Sequence, residues 1–270
     1  MYSFRYSMDS YFEHIKNKTY IDKYPSSIIR FNDLRGSVLF EFGAGVGNDA
    51  RFLLENRIIF PENIFLFEPD IYCVVDLCDN LEMLLSGYGM KHIRPVDVFQ
   101  DLEFYYSDIA DFIYANNFLH CLGYKSTRDL VAQAFCERIG KGMIKESELP
   151  YDVVNYWRNI NNLDNKGKIK KFFELSYKIL RSEGVLFGRT LSNKLDYEKL
   201  DTFVRKKELS EKEIFIVRTT MALSSGELIG LSSNELLNYA SVAGFKKFYF
   251  EKKTISSWSP ISDFYFRIEK

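Results

Sequence analysis

Short apolar runs alternate with amphipathic stretches along most of the chain. Ser37-Val38-Leu39-Phe40-Glu41-Phe42 is a nearly unbroken apolar run that ends in glycines, the form of a strand buried on both faces of a parallel sheet. Between Asn48 and Glu55, Ala50, Phe52, Leu53 and Leu54 recur at helical spacing. Ile64 to Glu68 predicts a second strand stopped by Pro69, and helical character returns from Val74 to Leu85 before Gly87 and Gly89 close it. A weak strand at His92 to Val96, a strong one from Asp111 to Ala115 and an amphipathic helix from Thr127 to Ile139 follow. A polar stretch with Pro150 and Trp157 reads as an insertion. Beyond it come a helix over Lys170 to Leu180, a strand at Val185 to Arg189, and one further strand at Ile214 to Val217 in a less regular region. A last helix runs from Ser233 to Ala243 and stops at Gly244, the usual left-handed helix end. Two β-rich runs, Phe245 to Phe250 and Asp263 to Ile268, complete the pattern.

Strands alternating with helices imply a parallel sheet covered on both faces. The last two strands have no helix between them, and a parallel crossover needs about a dozen residues or more. With Pro260 between them they are expected to form an antiparallel hairpin. The predicted fold class is therefore α/β: a doubly wound, Rossmann-like sheet of about seven strands, mostly parallel with an antiparallel C-terminal hairpin, plus helical N-terminal and inserted cap segments. One domain is expected over residues 1–270, with an N-terminal helical cap at 1–34, an insertion or lid at 121–170 and a second variable segment at 192–231.

The chemistry concentrates where the first strand ends. Glu41-Phe42-Gly43-Ala44-Gly45-Val46-Gly47 sets an acid at the strand tip and alternates glycines before a helix. Glycine lets backbone approach a ligand closely, and ligands of such sheets sit at the carboxyl ends of the strands. Nicotinamide-binding folds carry G-x-G-x-x-G at this place, but here the sixth position is Asn48. Glu41 is also a poor neighbour for a pyrophosphate, and it suits a cofactor with an ammonium and a sulfonium.

This arrangement resembles the class I S-adenosylmethionine-dependent methyltransferase family, over most of the chain. By that resemblance Glu41 organises the loop near the methionine end of the cofactor, and Gly43, Ala44, Gly45 and Gly47 form the cradle. Glu68, with Pro69 behind it, matches the acid that holds both ribose hydroxyls; a carboxylate can accept two bonds from a vicinal diol. Asp97 is similar to the acid that meets the adenine amino group, with a solvated turn as its alternative. Asp111-Phe112-Ile113-Tyr114-Ala115-Asn116-Asn117-Phe118-Leu119-His120 looks like the fourth motif, whose strand ends beside the transferable methyl. Ile179 to Leu186 resembles the "L-x-P-G-G" turn, with Ser182 and Glu183 where Pro and Gly are usual. Leu236 to Phe245 is close to the late "LL-x-x-AGF" helix.

The resemblance implies S-adenosylmethionine as cofactor, S-adenosylhomocysteine as product, and methyl transfer to a hydroxyl or amine of a small molecule. His120 is the candidate general base, since its unperturbed pKa suits neutral pH; a histidine bonded to backbone is the equal alternative. Asn116 is assigned to the cofactor and Asn117 to the acceptor, whose other candidate contacts are Tyr6, Trp157 and Arg189. Ordinary packing is the alternative for the aromatics. Arg189 is the candidate partner of an anionic acceptor group such as a carboxylate or phosphate, and an anionic or sugar-linked metabolite is the expected acceptor. Asn116-Asn117-Phe118 lacks the prolines of the D/N-P-P-Y signature, which argues against DNA-base and glutamine methylation.

Charge narrows the partners. With 36 basic and 37 acidic residues the net charge is −1, without the basic excess that phosphate neutralisation leaves in nucleic-acid binders. Lys166, Lys168, Lys170 and Lys171 read as a solvated helix start. Cys73, Cys78, Cys121 and Cys136 lack C-x-x-C spacing and do not cluster with His14, His92 and His120, so no metal is expected and the thiols read as reduced core residues. No apolar window reaches the length of about 18 residues that spans a bilayer, and no signal core opens the chain; the expected location is the cytoplasm. A protein or RNA methyltransferase, a non-catalytic cofactor-binding protein and a nicotinamide reductase remain as alternatives.

Overall fold

The structure is a computed structural model that describes residues 18–87, 92–95, 99, 107–122, 138, 141–143, 145, 147, 164–206, 208–226, 228–254 and 259–270. Among these residues one sheet contains β1 (Leu39–Phe42), β2 (Ile64–Phe67), β3 (Ile93–Arg94), β4 (Ala110–Asn116), β5 (Leu180–Leu195), β6 (Lys247–Thr254) and β7 (Ile261–Glu269). The strand order is β3-β2-β1-β4-β5-β7-β6. β7 runs antiparallel to both neighbours, and the other pairings are parallel. The order reverses at β1, between β2 and β4, so the crevice that receives ligands in open α/β sheets lies at the tip of β1. The predicted sheet and its antiparallel C-terminal pair are both present.

Alternation along the strands divides the core. Phe40 and Phe42 face the cluster built by α4 (Asn165–Ile179) and α7 (Ser233–Ala243), which contributes Phe172, Phe173, Ile179, Leu236 and Ala240. Leu39, Leu66, Tyr114 and Phe187 face the opposite cluster. That side is covered by the N-terminal residues Ile21, Ile28, Ile29 and Leu34, by α2 (Asn48–Glu55) and by α3 (Ile71–Leu81). Leu34 ends α1 (Phe31–Leu34). Glu41 shares its face with Leu39, so an ionisable group enters the second cluster at the strand tip.

α2 and α7 have the bounds expected from the pattern. α7 opens with a reciprocal Ser232–Glu235 capping box and stops at Gly244 with φ 111°. Three differences are informative. Residues 214–217, expected as a strand, lie in α6 (Glu211–Ser225). A Ser210–Glu213 capping box starts that helix, and Ile216 and Ala222 turn inward to a third cluster with Phe203 of α5 (Tyr197–Val204). The β-branched run therefore follows its cap rather than its propensity. Second, β5 continues to Leu195, so the segment 192–231 begins inside a strand. Third, Glu183 lies in the left-handed region with φ 66°, the conformation that would explain a glycine at this turn in the resemblance. The helix expected at Thr127 to Ile139 and most of the insertion at 121–170 fall outside the described residues. Cys73, Cys78 and Cys121 form no disulfide and are half-buried, with Cys78 and Cys121 packed against the second and third clusters. Among the described residues no helix is long and apolar enough to cross a membrane.

Candidate functional site

The loop between β1 and α2 is built around the tip of β2. Gly43 and Ala44 both donate backbone N–H groups to the Phe67 carbonyl, at 2.9 and 3.2 Å. The loop turns through left-handed backbone at Gly43, Gly45 and Gly47. At Gly47 glycine is required twice: φ is 81°, and a Cβ would lie 2.4 Å from Leu77 of α3. At Gly43 a Cβ would meet the Phe118 ring at 2.9 Å, whereas at Gly45 it would meet nothing within 4 Å. The loop is thus packed at its ends and open at its middle.

Carboxylates surround that loop. Glu68 accepts the Gly45 N–H at 2.8 Å on Oε2 and the Asp70 N–H at 2.9 Å on Oε1. It ties the loop to the end of β2 and is only 7% exposed. An ionised carboxylate has about four acceptor positions, so these amides alone do not exhaust it. Pro69 separates Glu68 from Asp70 in the link to α3. Glu41 is 4% exposed, and its Oε2 is buried without a hydrogen-bond partner among the described residues. Burial above all, then the charges of Asp49 and Glu68, holds the Glu41 carboxyl well above the usual carboxylate range.

Asp49 is the residue that the sequence reading missed. It sits in the first turn of α2, and its Oδ1 accepts the backbone N–H groups of Tyr20 at 2.6 Å and Ile21 at 3.0 Å. Its Oδ2 accepts the Tyr114 hydroxyl at 2.7 Å. Burial raises its carboxyl and those hydrogen bonds oppose the rise. A signal was available: Asp49 precedes Leu53 by four positions, which places an acid on the apolar face of the helix.

At the tip of β4, Asn116 Oδ1 accepts the Tyr24 hydroxyl at 3.0 Å. Asn117 takes a left-handed φ of 53° and donates its N–H to the Arg189 carbonyl at 2.9 Å. Arg189, at the matching position of β5, forms an ion pair with Asp263 of β7 and lies over the Tyr20 ring, 5.4 Å from its centroid. The expectation that Arg189 answers an anionic acceptor must therefore reckon with a carboxylate supplied by the chain itself. The pairing was not visible in the sequence because it depends on the β5–β7 register, which sets Arg189 opposite Tyr265 and Asp263 opposite Leu191. Tyr6, Asp97 and Trp157 lie outside the described residues.

His120 stands on the 3-10 turn Leu119–Cys121, and its carbonyl accepts the Ile229 N–H at 2.8 Å. The side chain is fully enclosed; burial first, then the Arg189 charge, lowers its pKa to about 3. An unfolded chain takes up this proton near 6.5. The stability contributed by neutral His120 is thus complete above about 6.5 and is lost as the pH falls towards about 3. Urea denaturation of the wild type and of His120→Phe at several pH values is expected to show a steeper acid decline for the wild type. Parallel curves would remove the assignment.

No family model matches the chain, and no curated protein matches it. Solved structures that align with it include a possible exported protein from Bordetella parapertussis, at 9% identity and TM-score 0.49 over 88% of this chain and 63% of that one. The chain thus spans less than two thirds of that protein. A putative sarcosine dimethylglycine methyltransferase from Galdieria sulphuraria aligns at 11% identity and TM-score 0.49, over 87% and 79% of the two chains. A SAM-dependent methyltransferase from Archaeoglobus fulgidus aligns at 10% identity and TM-score 0.49, over 88% of each. Likeness this distant fixes no activity, and the site is judged on its own residues.

Proposed function

We propose that this protein is an S-adenosylmethionine-dependent methyltransferase that modifies a hydroxyl or amine of a small acceptor. One observation carries the reading: the enclosed, unpartnered Glu41 Oε2 beside a left-handed glycine loop, at the sheet's reversal point. A buried carboxylate without a donor is costly, and an ammonium supplies the missing donor and the opposite charge. A dinucleotide pyrophosphate would bring more negative charge to the same place. The residues fit the donor: Glu41 faces its methionine end, the open middle of the loop at Gly45 admits its backbone contacts, and Glu68 takes the ribose hydroxyls. Pro69 shapes the Glu68 corner and Asn116 holds the methyl end.

When bound, S-adenosylmethionine supplies a methyl on a positively charged sulfur, and the chain has to orient the acceptor and exclude water. His120 acts in this reading as a neutral hydrogen-bonding group. An imidazole lowered to about 3 is a weak proton acceptor at neutral pH. An anionic acceptor is supported by positive charge near the N-terminal segment: partial burial first, and then the charges of Lys23, Arg189 and Lys212, lower the Lys18 pKa, with Asp263 offsetting Arg189. Asn117 is tied to β5 at Arg189 by the bond from its backbone N–H to the Arg189 carbonyl.

Calorimetric titration with S-adenosylmethionine, S-adenosylhomocysteine and NADH tests the reading. The first two are expected to bind and NADH is not. Since the Glu41 carboxyl is raised, the arriving ammonium favours its ionised form, so binding releases a proton and affinity rises with pH. Binding of NADH in preference to either sulfur compound would overturn the assignment.

A further inference from the structure

Residues 18–24 cross the strand tips and are held there at several points. Asp49 accepts two successive backbone amides, Tyr20 and Ile21, on one oxygen. The Tyr24 hydroxyl reaches Asn116 at the end of β4, and the Tyr24 ring packs edge-on to Tyr114, Phe187 and Tyr265. The Arg189 guanidinium lies over Tyr20. The segment therefore bridges α2, β4 and β5, the elements that bear the loop, the methyl end and the acceptor end of the site.

Asp49 is where these attachments meet the loop. Gly47 is the N-cap of α2, with Asp49 two residues beyond it. The carboxylate also reaches the sheet through Tyr114, whose backbone is in register with Glu41. A carboxylate only 7% exposed needs its hydrogen bonds to stay buried, and the segment supplies two of them. If the segment leaves, Asp49 must find water or a different position, and the first turn of α2 with the adjoining loop must shift with it. Holding the segment and holding the loop in shape are then one event.

We propose that Asp49 is a positioning residue that couples closure of segment 18–24 to occupancy of the donor site, so that the donor and the segment stabilise each other. The proposal rests on the donor-site reading above. Coupling is reciprocal: a ligand that needs the closed segment must also protect it. The segment exposes Lys18 and Lys23, which are trypsin sites.

The experiment uses the full chain, S-adenosylhomocysteine as the probe, calorimetry for affinity and mass-resolved tryptic cleavage after Lys18 and Lys23. In the wild type, saturating S-adenosylhomocysteine is expected to slow that cleavage about tenfold or more, within the usual range of coupling. Asp49→Asn keeps the size but removes the charge and leaves one acceptor oxygen, so the Tyr20 and Ile21 amides and the Tyr114 hydroxyl can no longer all donate to it as they do now. It is expected to cleave faster, to bind S-adenosylhomocysteine about tenfold more weakly and to lose the ligand's protection. Tyr24→Phe removes the Asn116 attachment and the hydroxyl contact with Tyr114 while leaving the two amides on Asp49 in place, and is expected to shift both readouts in the same direction by a smaller factor. A residue with a merely structural role would lower the melting temperature while leaving ligand protection intact. Wild-type affinity in Asp49→Asn, or cleavage of the wild type unaffected by bound S-adenosylhomocysteine, would overturn the coupling. Absence of any S-adenosylhomocysteine binding by the wild type would instead sink the donor-site reading, and the coupling with it.

Discussion

Replacing Glu68 with alanine is expected to weaken S-adenosylhomocysteine binding by about 100-fold or more. Hydrogen bonds to a charged group contribute about 1.5–3 kcal/mol each, so losing two to a vicinal diol removes at least about 3 kcal/mol. The same substitution strips the Gly45 and Asp70 amides of their acceptor, so the loop loses its tie to β2 as well. Glu68→Gln separates the two effects. It retains one carbonyl oxygen for an amide, and its affinity should fall between those of wild type and Glu68→Ala. Calorimetry reads the ranking directly; an Ala variant with wild-type affinity would place the ribose elsewhere.

The second large effect concerns stability. Arg189→Ala leaves Asp263, which is 1% exposed, without the guanidinium that faces it in the β5–β7 pair. Breaking a buried ion pair by removing one partner costs about 3–5 kcal/mol. For a chain of this size that corresponds to a fall of roughly 10 °C in melting temperature. Removing both charges with Arg189→Met and Asp263→Leu should restore much of the loss, because neither ion is then stranded. Arg189→Lys should recover only part of it, since an ammonium cannot reproduce the planar fork. Thermal unfolding of the four proteins reads this ranking. Equal melting temperatures for wild type and Arg189→Ala would show that the pair does not stabilise the folded state.

The legible parts of the molecule were those set by local pattern. The unbroken apolar run before Glu41, the glycines after it and the serine-capped helix ending at Gly244 each carry their structure within about ten residues, and each is found where its pattern places it. The antiparallel C-terminal pair follows from the short connection between the strands and the Pro260 within it. What stayed hidden depends on register and on contacts between distant segments. Ile214 to Val217 has the β-branched composition of a strand, and the Ser210–Glu213 cap four residues before it makes it helix. Asp49 looked like an ordinary first-turn acid, because its partners Tyr20, Ile21 and Tyr114 are 28 to 65 residues away. Arg189 looked available because Asp263 lies 74 residues further on.

β5 pairs with β4 only as far as Arg189, and from Thr190 onward its register is with β7 alone. Its last residues lead directly into α5, and Leu191 shares a cluster with Phe203 and Ile216. The far end of β5, with the third cluster on it, is thus carried by β7 and by the 229–231 stretch, whose Ile229 and Leu231 amides donate to the His120 and Leu191 carbonyls. Between that cluster and the glycine loop stand β4 and the inner half of β5.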